Sequence, residues 1–424
     1  MTPEEPYPNT VVNLTPSPEV TGRQADIRAI YSADGQPMGV AFRPVRVVTT
    51  GQEAVTEPEP VPAPGISVNQ QQADRSIDLT MMVFNDNRGG EGEVVIRFGT
   101  HHAGVERTQL NVNLGSDLES YARFIVSKMG LAETSPAALR KARGIGRQIA
   151  DKLPPAFPAL LRDIATRVEP EPIRILLLTE EPYVPWELAV LDRLDGSPGQ
   201  SFLGAQAVVG RWVIPNNLPE SKDVEIKDLL VITGHYPDGT LTAAEEEGVE
   251  LRETYDAVPI EAKLTAVLKC LEGQPCGDVL HFAVHGRHDP GGAVNGLRLV
   301  DGEYVDPEII QGSDLKGHPF VFLNACQVGV GQAQLGVYGG MAAAFLSRGA
   351  VGVVAPLWSV KDTVAKEVAL DFYAKVFGGE AIGDVVRQKR ASFGHEGVSP
   401  TVLAYQYFGH PALHLHRAAP GGKG

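Results

Sequence analysis

The sequence has few cysteines, no excess of basic residues and no long apolar run. Three cysteines in 424 residues are too few for a disulfide framework and indicate a reducing compartment. The formal charge of −15 argues against a general nucleic-acid binder and against binding to anionic membranes. No apolar run approaches the roughly 20 residues of a membrane span. The start, "MTPEEPYPNT", has no basic or apolar section, so we expect no signal peptide and a cytoplasmic location.

Changes in composition along the chain predict four sections. Residues 1–25 are rich in Pro, Glu and Thr and predict a flexible tail. Alternating apolar runs in residues 26–115 predict a β-rich accessory module. Residues 116–171 have helical spacing and predict a helical connector. Residues 172–417 predict an α/β domain.

The α/β prediction depends on five near-continuous apolar runs: "IRILLLT" (173–179), "DLLVITG" (228–234), "DVLHFAVHG" (278–286), "PFVFLNAC" (319–326) and "AVGVVAPLW" (350–358). Strands that are buried on both faces have this pattern. Helical patterns separate several of the runs, at 243–256, 264–272, 339–347 and 362–377. The alternation predicts a mostly parallel sheet that is flanked by helices.

Two of these predicted strands end in reactive residues, one in His285-Gly286 and the other in Asn324-Ala325-Cys326. Functional groups gather at the carboxyl ends of parallel strands. A lone cysteine in such a place is usually a small buried hydrophobe, and a lone histidine is usually a hydrogen-bonded core residue. Together they allow more, because an imidazole can take the proton of a thiol and later protonate a leaving amine.

Glycine beside the histidine suits the same chemistry. Without a side chain, Gly286 lets a substrate carbonyl approach the backbone closely. The backbone N–H groups of Gly286 and Cys326 could then form an oxyanion hole, with each donor contributing about 3 kcal/mol.

Six segments, in their order and spacing, resemble the CHAT family of caspase-like peptidases, which belongs to the same clan, CD, as caspases and separase. They are "VPWELAV" (184–190), "FLGAQAVVGRW" (202–212), "DVLHFAVHG" (278–286), "FVFLNACQVGVG" (320–331), "GMAAAFLSRGAVGVVAPLWSVKD" (340–362) and "AYQYFGHPALHL" (404–415). The resemblance covers the predicted α/β domain and implies a caspase-like fold. That fold would divide into a pseudo-half (172–225) and a catalytic part (226–417).

This resemblance implies a cysteine endopeptidase in which His285 is the general base and acid and Cys326 is the nucleophile. It implies no cofactor and no metal. It also implies a dedicated protein substrate that is encoded nearby, and a regulated role in bacterial defence or cell death. The N-terminal module could bind an activating partner. The alternative is a non-catalytic CHAT-fold scaffold for interaction or signalling.

Three further residues are candidates for substrate specificity. Asp362 could cap the helix that it begins. The resemblance to separase-like relatives instead implies that Asp362, with Trp358, lies in a pocket for Arg or Lys. Asn324 could either line this pocket or hold the end of its strand. The candidate specificity residues are therefore Asp362, Asn324 and Trp358.

Other polar residues allow weaker interpretations. His281 and His285, with Cys276 nearby, could bind a metal, but no further ligands accompany them, and the prediction is no metal. The pair His101-His102 is expected to be exposed. The acidic run "EEEGVELRETY" (245–255) predicts a solvated helix face.

Overall fold

The computed structural model describes thirteen ranges of the chain, which are 24–33, 36–46, 74–85, 92–102, 109–129, 136–180, 183–214, 222–236, 241–288, 295–325, 335–358, 360–395 and 398–418. The predicted tail, residues 1–25, lies outside these ranges except for the first residues of one strand. None of the helices that the structure describes has both the length and the apolarity needed to cross a bilayer.

The strands are numbered in chain order. They are β1 (Gln24–Ala33), β2 (Gln36–Arg46), β3 (Leu79–Asn85), β4 (Glu93–Gly99), β5 (Gln109–Asn113), β6 (Arg174–Thr179), β7 (Val190–Asp192), β8 (Gln200–Phe202), β9 (Val208–Val213), β10 (Asp223–Ile226), β11 (Leu229–Thr233), β12 (Val258–Glu261), β13 (Val279–Phe282), β14 (His285–His288), β15 (Asn295–Arg298), β16 (Tyr304–Val305), β17 (Phe320–Leu323), β18 (Gly352–Pro356), β19 (Tyr405–Gly409) and β20 (His414–Arg417).

The α-helices are α1 (Leu118–Met129), α2 (Pro136–Ala150), α3 (Phe157–Val168), α4 (Leu203–Gln206), α5 (Thr242–Tyr255), α6 (Leu264–Leu271), α7 (Pro307–Gly312), α8 (Leu335–Ser347), α9 (Asp362–Val376) and α10 (Ile382–Ala391). Short 3-10 helices lie at Trp186–Leu188 and Pro400–Leu403.

An eleven-stranded sheet forms the centre of the described fold, in the order β12-β11-β13-β17-β18-β19-β9-β6-β3-β4-β5. The neighbours β12-β11-β13-β17-β18 are all parallel, and so are β9-β6-β3. Antiparallel pairs occur at β18-β19 and at the β3-β4-β5 edge. The prediction of a mostly parallel sheet that is flanked by helices is confirmed.

The central strands are apolar on both sides because helices cover both faces. Along β17, Phe320 and Phe322 point into one hydrophobic cluster, and Val321 and Leu323 point into the other. Helices α5, α9 and α10 contribute to the first cluster, and helices α6, α7 and α8 contribute to the second. The near-continuous apolar runs of the sequence follow from this double burial.

Strands β3, β4 and β5 belong to this sheet and do not form a separate module. Strand β3 pairs with β6 from Leu79↔Ile175 to Val83↔Thr179, so the sheet continues across the predicted boundary at residue 172. The connector helices α1, α2 and α3 share one hydrophobic cluster with β6. The predicted division into a β-rich module (26–115), a connector (116–171) and a peptidase domain is therefore wrong for these residues, because composition does not reveal strand pairing.

This shared sheet predicts the effect of a truncation. A chain that begins at residue 165 lacks β3 to β5, α1, α2 and most of α3. Ile175 and Leu177, each 1% exposed in the full chain, would become exposed to solvent. Strand β6 would become an unpaired edge of the sheet. We expect this truncated protein to aggregate and to show no cooperative thermal transition by circular dichroism, unlike the full chain. A monodisperse, cooperatively folding product would contradict this expectation.

A buried charge cluster fixes β19 beside β9. Arg211 Nη2 lies 2.9 Å from Glu187 Oε2, and Gln406 Nε2 donates to the same oxygen at 3.2 Å. Arg390 Nη2 donates to the backbone oxygen of Tyr405 at 2.8 Å. Burial favours a higher pKa for Glu187, but the charges of Arg211 and Arg390 hold this pKa below its ordinary value. The cluster thereby fixes the backbone position of Tyr405, whose side chain reaches the site described next.

Candidate active site

His285 is held in a buried position just beyond β13. It is 4% exposed and begins β14, the strand that turns out of the sheet to pair with β15. The backbone N–H of His285 donates to Tyr236 Oη at 3.4 Å, and the two rings meet edge to face with centroids 4.5 Å apart. The imidazole is therefore fixed by packing as well as by its backbone.

Tyr236 is a supporting residue that the sequence analysis missed. It follows β11, the strand next to β13, and is 1% exposed. Its Oη also donates to the backbone oxygen of Arg298 at 2.7 Å, so one hydroxyl joins the first residue pair of β14 and β15. The available signal was the place of "GHYPDG" directly after an apolar strand, where side chains reach the active edge of a parallel sheet.

The neighbouring strand β17 leads toward the predicted nucleophile. Phe282 of β13 pairs with Leu323 of β17, and the Asn324 N–H donates to the Phe282 oxygen at 2.8 Å. His285 and position 326 follow the paired residues Phe282 and Leu323 at the same sequence distance. Cys326 itself lies outside the described residues, which end here at Ala325 and resume at residue 335.

Gly286, the other predicted oxyanion-hole residue, is described. It is buried and pairs with Leu297 of β15. Of the predicted catalytic set, the described residues therefore include His285 and Gly286, which are adjacent at the exit of β13.

Asn324 is 2% exposed and hydrogen-bonded at both ends of its amide. Its Nδ2 donates to both carboxylate oxygens of Glu247, each 2.9 Å away, and to the backbone oxygen of Ala365 at 3.1 Å. Its Oδ1 accepts from Tyr405 Oη at 2.7 Å. These contacts correspond to the second of the two sequence-based alternatives, because the side chain holds the end of β17. Asn324 is accordingly not part of the specificity pocket proposed below.

Glu247 corrects the interpretation of the acidic run as a solvated helix face. It is 1% exposed, and its Oε1 lies 2.6 Å from His281 Nε2. His281 Nδ1 lies 3.0 Å from Tyr373 Oη. Both ring nitrogens of His281 therefore have protein partners, which removes the basis for a metal site with His285. Burial, followed by the charge of Glu247, raises the pKa of Tyr373 well above its ordinary value, so the phenol stays protonated.

The position of Glu247 could have been predicted from helical spacing. Ala243, Ala244 and Leu251 are also buried on this side of α5, and each lies three or four residues from Glu247. The three consecutive glutamates hid this periodicity.

Asp362, the candidate specificity residue, is half-buried at the start of α9. Its Oδ2 accepts a hydrogen bond from the Ala243 N–H at 2.9 Å, so it caps the neighbouring helix α5 and not its own. Its Oδ1 is buried and has no hydrogen-bond partner among the described residues. Burial raises the pKa of Asp362. The backbone N–H groups of Ala243 and Ala244 act against this shift, and the charges of Glu247 and Glu246 add to it.

Trp358 follows β18 and is 3% exposed. It lines a small cavity together with Met129 of α1, Ala142 of α2 and Leu403. Its surroundings are therefore the connector helices, and Trp358 joins them to the strand end that precedes Asp362.

One group in the described residues has the composition of a metal site. Asp78, His101 and His102 have ligand atoms within 4.8 Å of one another. Hydrogen bonds already explain this group: His102 Nε2 lies 3.1 Å from Asp78 Oδ1, and His101 Nδ1 lies 3.1 Å from the Ile77 oxygen. Both histidines are partly buried, and the expectation that they are simply exposed is wrong. The group lies at the start of β3 and just after the end of β4, and β3 is five places from β17 in the sheet.

A family model for the CHAT domain matches residues 156–398, more than half of the chain. The chain belongs to the CHAT domain family. This caspase-like protease family is the one that the sequence motifs resemble. The matched part of the CHAT domain includes His285, Cys326 and Asp362. It begins within the predicted connector and ends before β19 and β20.

Two solved structures show the similarity of this CHAT domain chain to a larger protein. Both are crystal structures of the Saccharomyces cerevisiae separase–securin complex, with 12% and 11% identity and TM-scores of 0.46 and 0.47. The matches cover 81% and 80% of this chain and 30% of each matched chain, so this chain spans less than a third of their length. A search of curated proteins finds no match.

Proposed function

We propose that this protein is a cysteine endopeptidase that hydrolyses peptide bonds of a protein substrate with a His285/Cys326 dyad. The observation that carries the proposal is the register of β13 and β17. Phe282 and Leu323 are paired, and positions 285 and 326 follow them at equal sequence distance, as expected for two residues that act together at one edge of a parallel sheet. Tyr236 fixes the His285 ring at this edge, as a general base requires.

The proposed chemistry uses the residues in two steps. His285 takes the proton of the Cys326 thiol, and the thiolate attacks the carbonyl carbon of the scissile bond. The N–H groups of Gly286 and Cys326 stabilise the oxyanion. His285 then gives the proton to the leaving amine, and a thioester acyl-enzyme remains until water hydrolyses it. These steps need no cofactor and no metal.

Cleavage after Arg or Lys is the proposed specificity. Asp362 supports it, because one carboxylate oxygen is held by Ala243 and the other is buried without a partner among the described residues. A guanidinium is the group that satisfies such an oxygen best. Family membership supports a role in bacterial defence or cell death, with a cytoplasmic location and a substrate encoded nearby. It is also compatible with an activating partner bound through residues 26–115, and with no contact to nucleic acid or membrane.

Labelling with an arginyl acyloxymethyl ketone, an electrophile that alkylates active cysteine peptidases, tests the proposal. We expect the reagent to label Cys326 in the unsubstituted protein, and we expect no labelling of Cys326 in the His285→Ala variant. The exposed Cys276 and the buried Cys270 serve as internal controls in the same protein. If Cys326 reacts no faster than Cys276 and independently of His285, the dyad is absent. The non-catalytic scaffold is then the better description.

A further inference from the structure

We infer that Glu247 is a positioning residue, whose buried carboxylate fixes the ends of β13 and β17 relative to each other and thereby aligns the dyad. The inference rests on the proposed peptidase function. It assigns to α5 a role that no catalytic motif of the sequence indicates.

The contacts of Glu247 join the two strands that carry the dyad. Its Oε1 lies 2.6 Å from His281 Nε2. His281 belongs to β13 and lies four residues before His285. Both of its oxygens accept from Asn324 Nδ2 at 2.9 Å, and Asn324 directly follows β17, two positions before Cys326. One carboxylate therefore bridges the approaches to both proposed catalytic residues.

Two phenols complete the arrangement from other elements. Tyr373 Oη of α9 lies 3.0 Å from the other ring nitrogen of His281, and Tyr405 Oη of β19 donates to Asn324 Oδ1 at 2.7 Å. Each polar side chain is thus held at both ends. Such doubly held groups have one orientation, which precise alignment of a reactive pair requires.

The cost of burial indicates that this carboxylate has a function beyond packing. A buried carboxylate costs several kcal/mol of desolvation, and an apolar residue on this side of α5, beside Ala243, Ala244 and Leu251, would avoid that cost. Residues that break the local pattern in this way are expected at functional sites.

The α5 helix also connects Glu247 to the proposed specificity residue. Asp362 holds the first turn of α5 through the Ala243 N–H, one helical turn before Glu247. The negative charge of Glu247 helps to raise the pKa of Asp362. The same helix therefore contacts both the proposed substrate-binding carboxylate and the strands of the dyad.

Glu247→Gln tests the inference with little change in shape. The amide nitrogen would face a donor, either Asn324 Nδ2 or the protonated His281 nitrogen, so one contact must open. We expect kcat to fall about 10²-fold with KM little changed, because a shift of about 1 Å at a reacting pair has that effect. The matched control is Glu253→Gln, the same substitution at an exposed position of α5, which should leave both constants unchanged.

A second readout separates positioning from loss of stability. The rate of Cys326 alkylation by iodoacetamide is measured against pH in a Cys276→Ala background, because Cys276 is exposed. We expect the inflection to lie below the value of about 8.5 for a free thiol, and Glu247→Gln to move it toward that value. Leu251→Ala, which removes a buried side chain of the same helix, should lower Tm without moving the inflection.

The outcomes separate this inference from the proposed function. If the unsubstituted protein already has the inflection of a free thiol and cleaves nothing, the proposed function fails. If its inflection is low and Glu247→Gln retains it with full kcat, only the inference fails. If Glu247→Gln does not fold, Tyr405→Phe decides, because it removes a single hydroxyl from Asn324 and should shift the inflection in the same direction.

Discussion

Replacing Cys326 by alanine is expected to abolish peptide hydrolysis, and replacing His285 by alanine is expected to have nearly the same effect. Each residue depends on the other, because the thiol needs the imidazole as its base and the imidazole has no other nucleophile to activate. Removal of either member of such a unit costs about as much as removal of both, on the order of 10³-fold or more in kcat/KM. The double variant should therefore be no slower than the single variants.

The measurement is cleavage of a fluorogenic arginyl peptide, or of the natural substrate once it is known. Circular dichroism should show that the variants stay folded. Cys270→Ala and Cys276→Ala are the controls and should keep full activity. Burial, followed by the nearby Cys276 thiol, raises the pKa of Cys270 to about 12, which leaves it unreactive at neutral pH. If the Cys326→Ala protein cleaves the peptide as fast as the unsubstituted protein does, Cys326 is not the nucleophile and the proposed dyad is wrong.

The second large effect is expected for Asp362→Asn, which keeps the side-chain shape and removes the negative charge. If Asp362 pairs with a substrate guanidinium, kcat/KM for an arginyl substrate should fall by roughly 10²–10³-fold, equivalent to about 3–4 kcal/mol. Asp362 Oδ1, which is buried and has no hydrogen-bond partner among the described residues, is the atom that would accept the guanidinium N–H. Iodoacetamide alkylation of Cys326 should be unchanged, because the dyad is intact.

A citrulline substrate, the neutral isostere of arginine, provides the matched comparison. The unsubstituted protein should prefer arginine over citrulline strongly, and Asp362→Asn should lose that preference. Asp362→Asn should also lower Tm only slightly, since an asparagine oxygen can still accept from the Ala243 N–H. Cleavage after Asp or after small apolar residues would show that Asp362 acts only as the cap of α5.

The sequence predicted strands β11, β13 and β17 well because helices bury both of their faces. The runs at 228–234, 278–286 and 319–326 became β11, β13 and β17, and the helices between them began and ended close to the predicted residues. Apolar runs of this kind are a property of one short segment. They can therefore be recognised without knowing which strands or helices pack against that segment.

The limit of the N-terminal module was not predictable in the same way. The sequence pattern predicted a separate module for the residues of β3 to β5, because a helical section follows them in the chain. Their pairing with β6 is a contact between distant parts of the chain, from Leu79↔Ile175 onward. Composition carries no information about which strands pair, so the boundary at residue 172 was misplaced.

The sequence by itself determined the fold class, the family motifs and the order of reactive residues, because each depends on residue types at short spacings. The tertiary structure alone decided that Glu247 contacts His281 and Asn324, that Tyr236 holds His285 and that Asp362 caps α5. These contacts join residues up to 119 positions apart, Ala243 and Asp362, and they depend on how α5 packs against α9 and the sheet. Residue spacing along a helix indicates which stripe is buried, but only the packed neighbours determine which residues that stripe contacts.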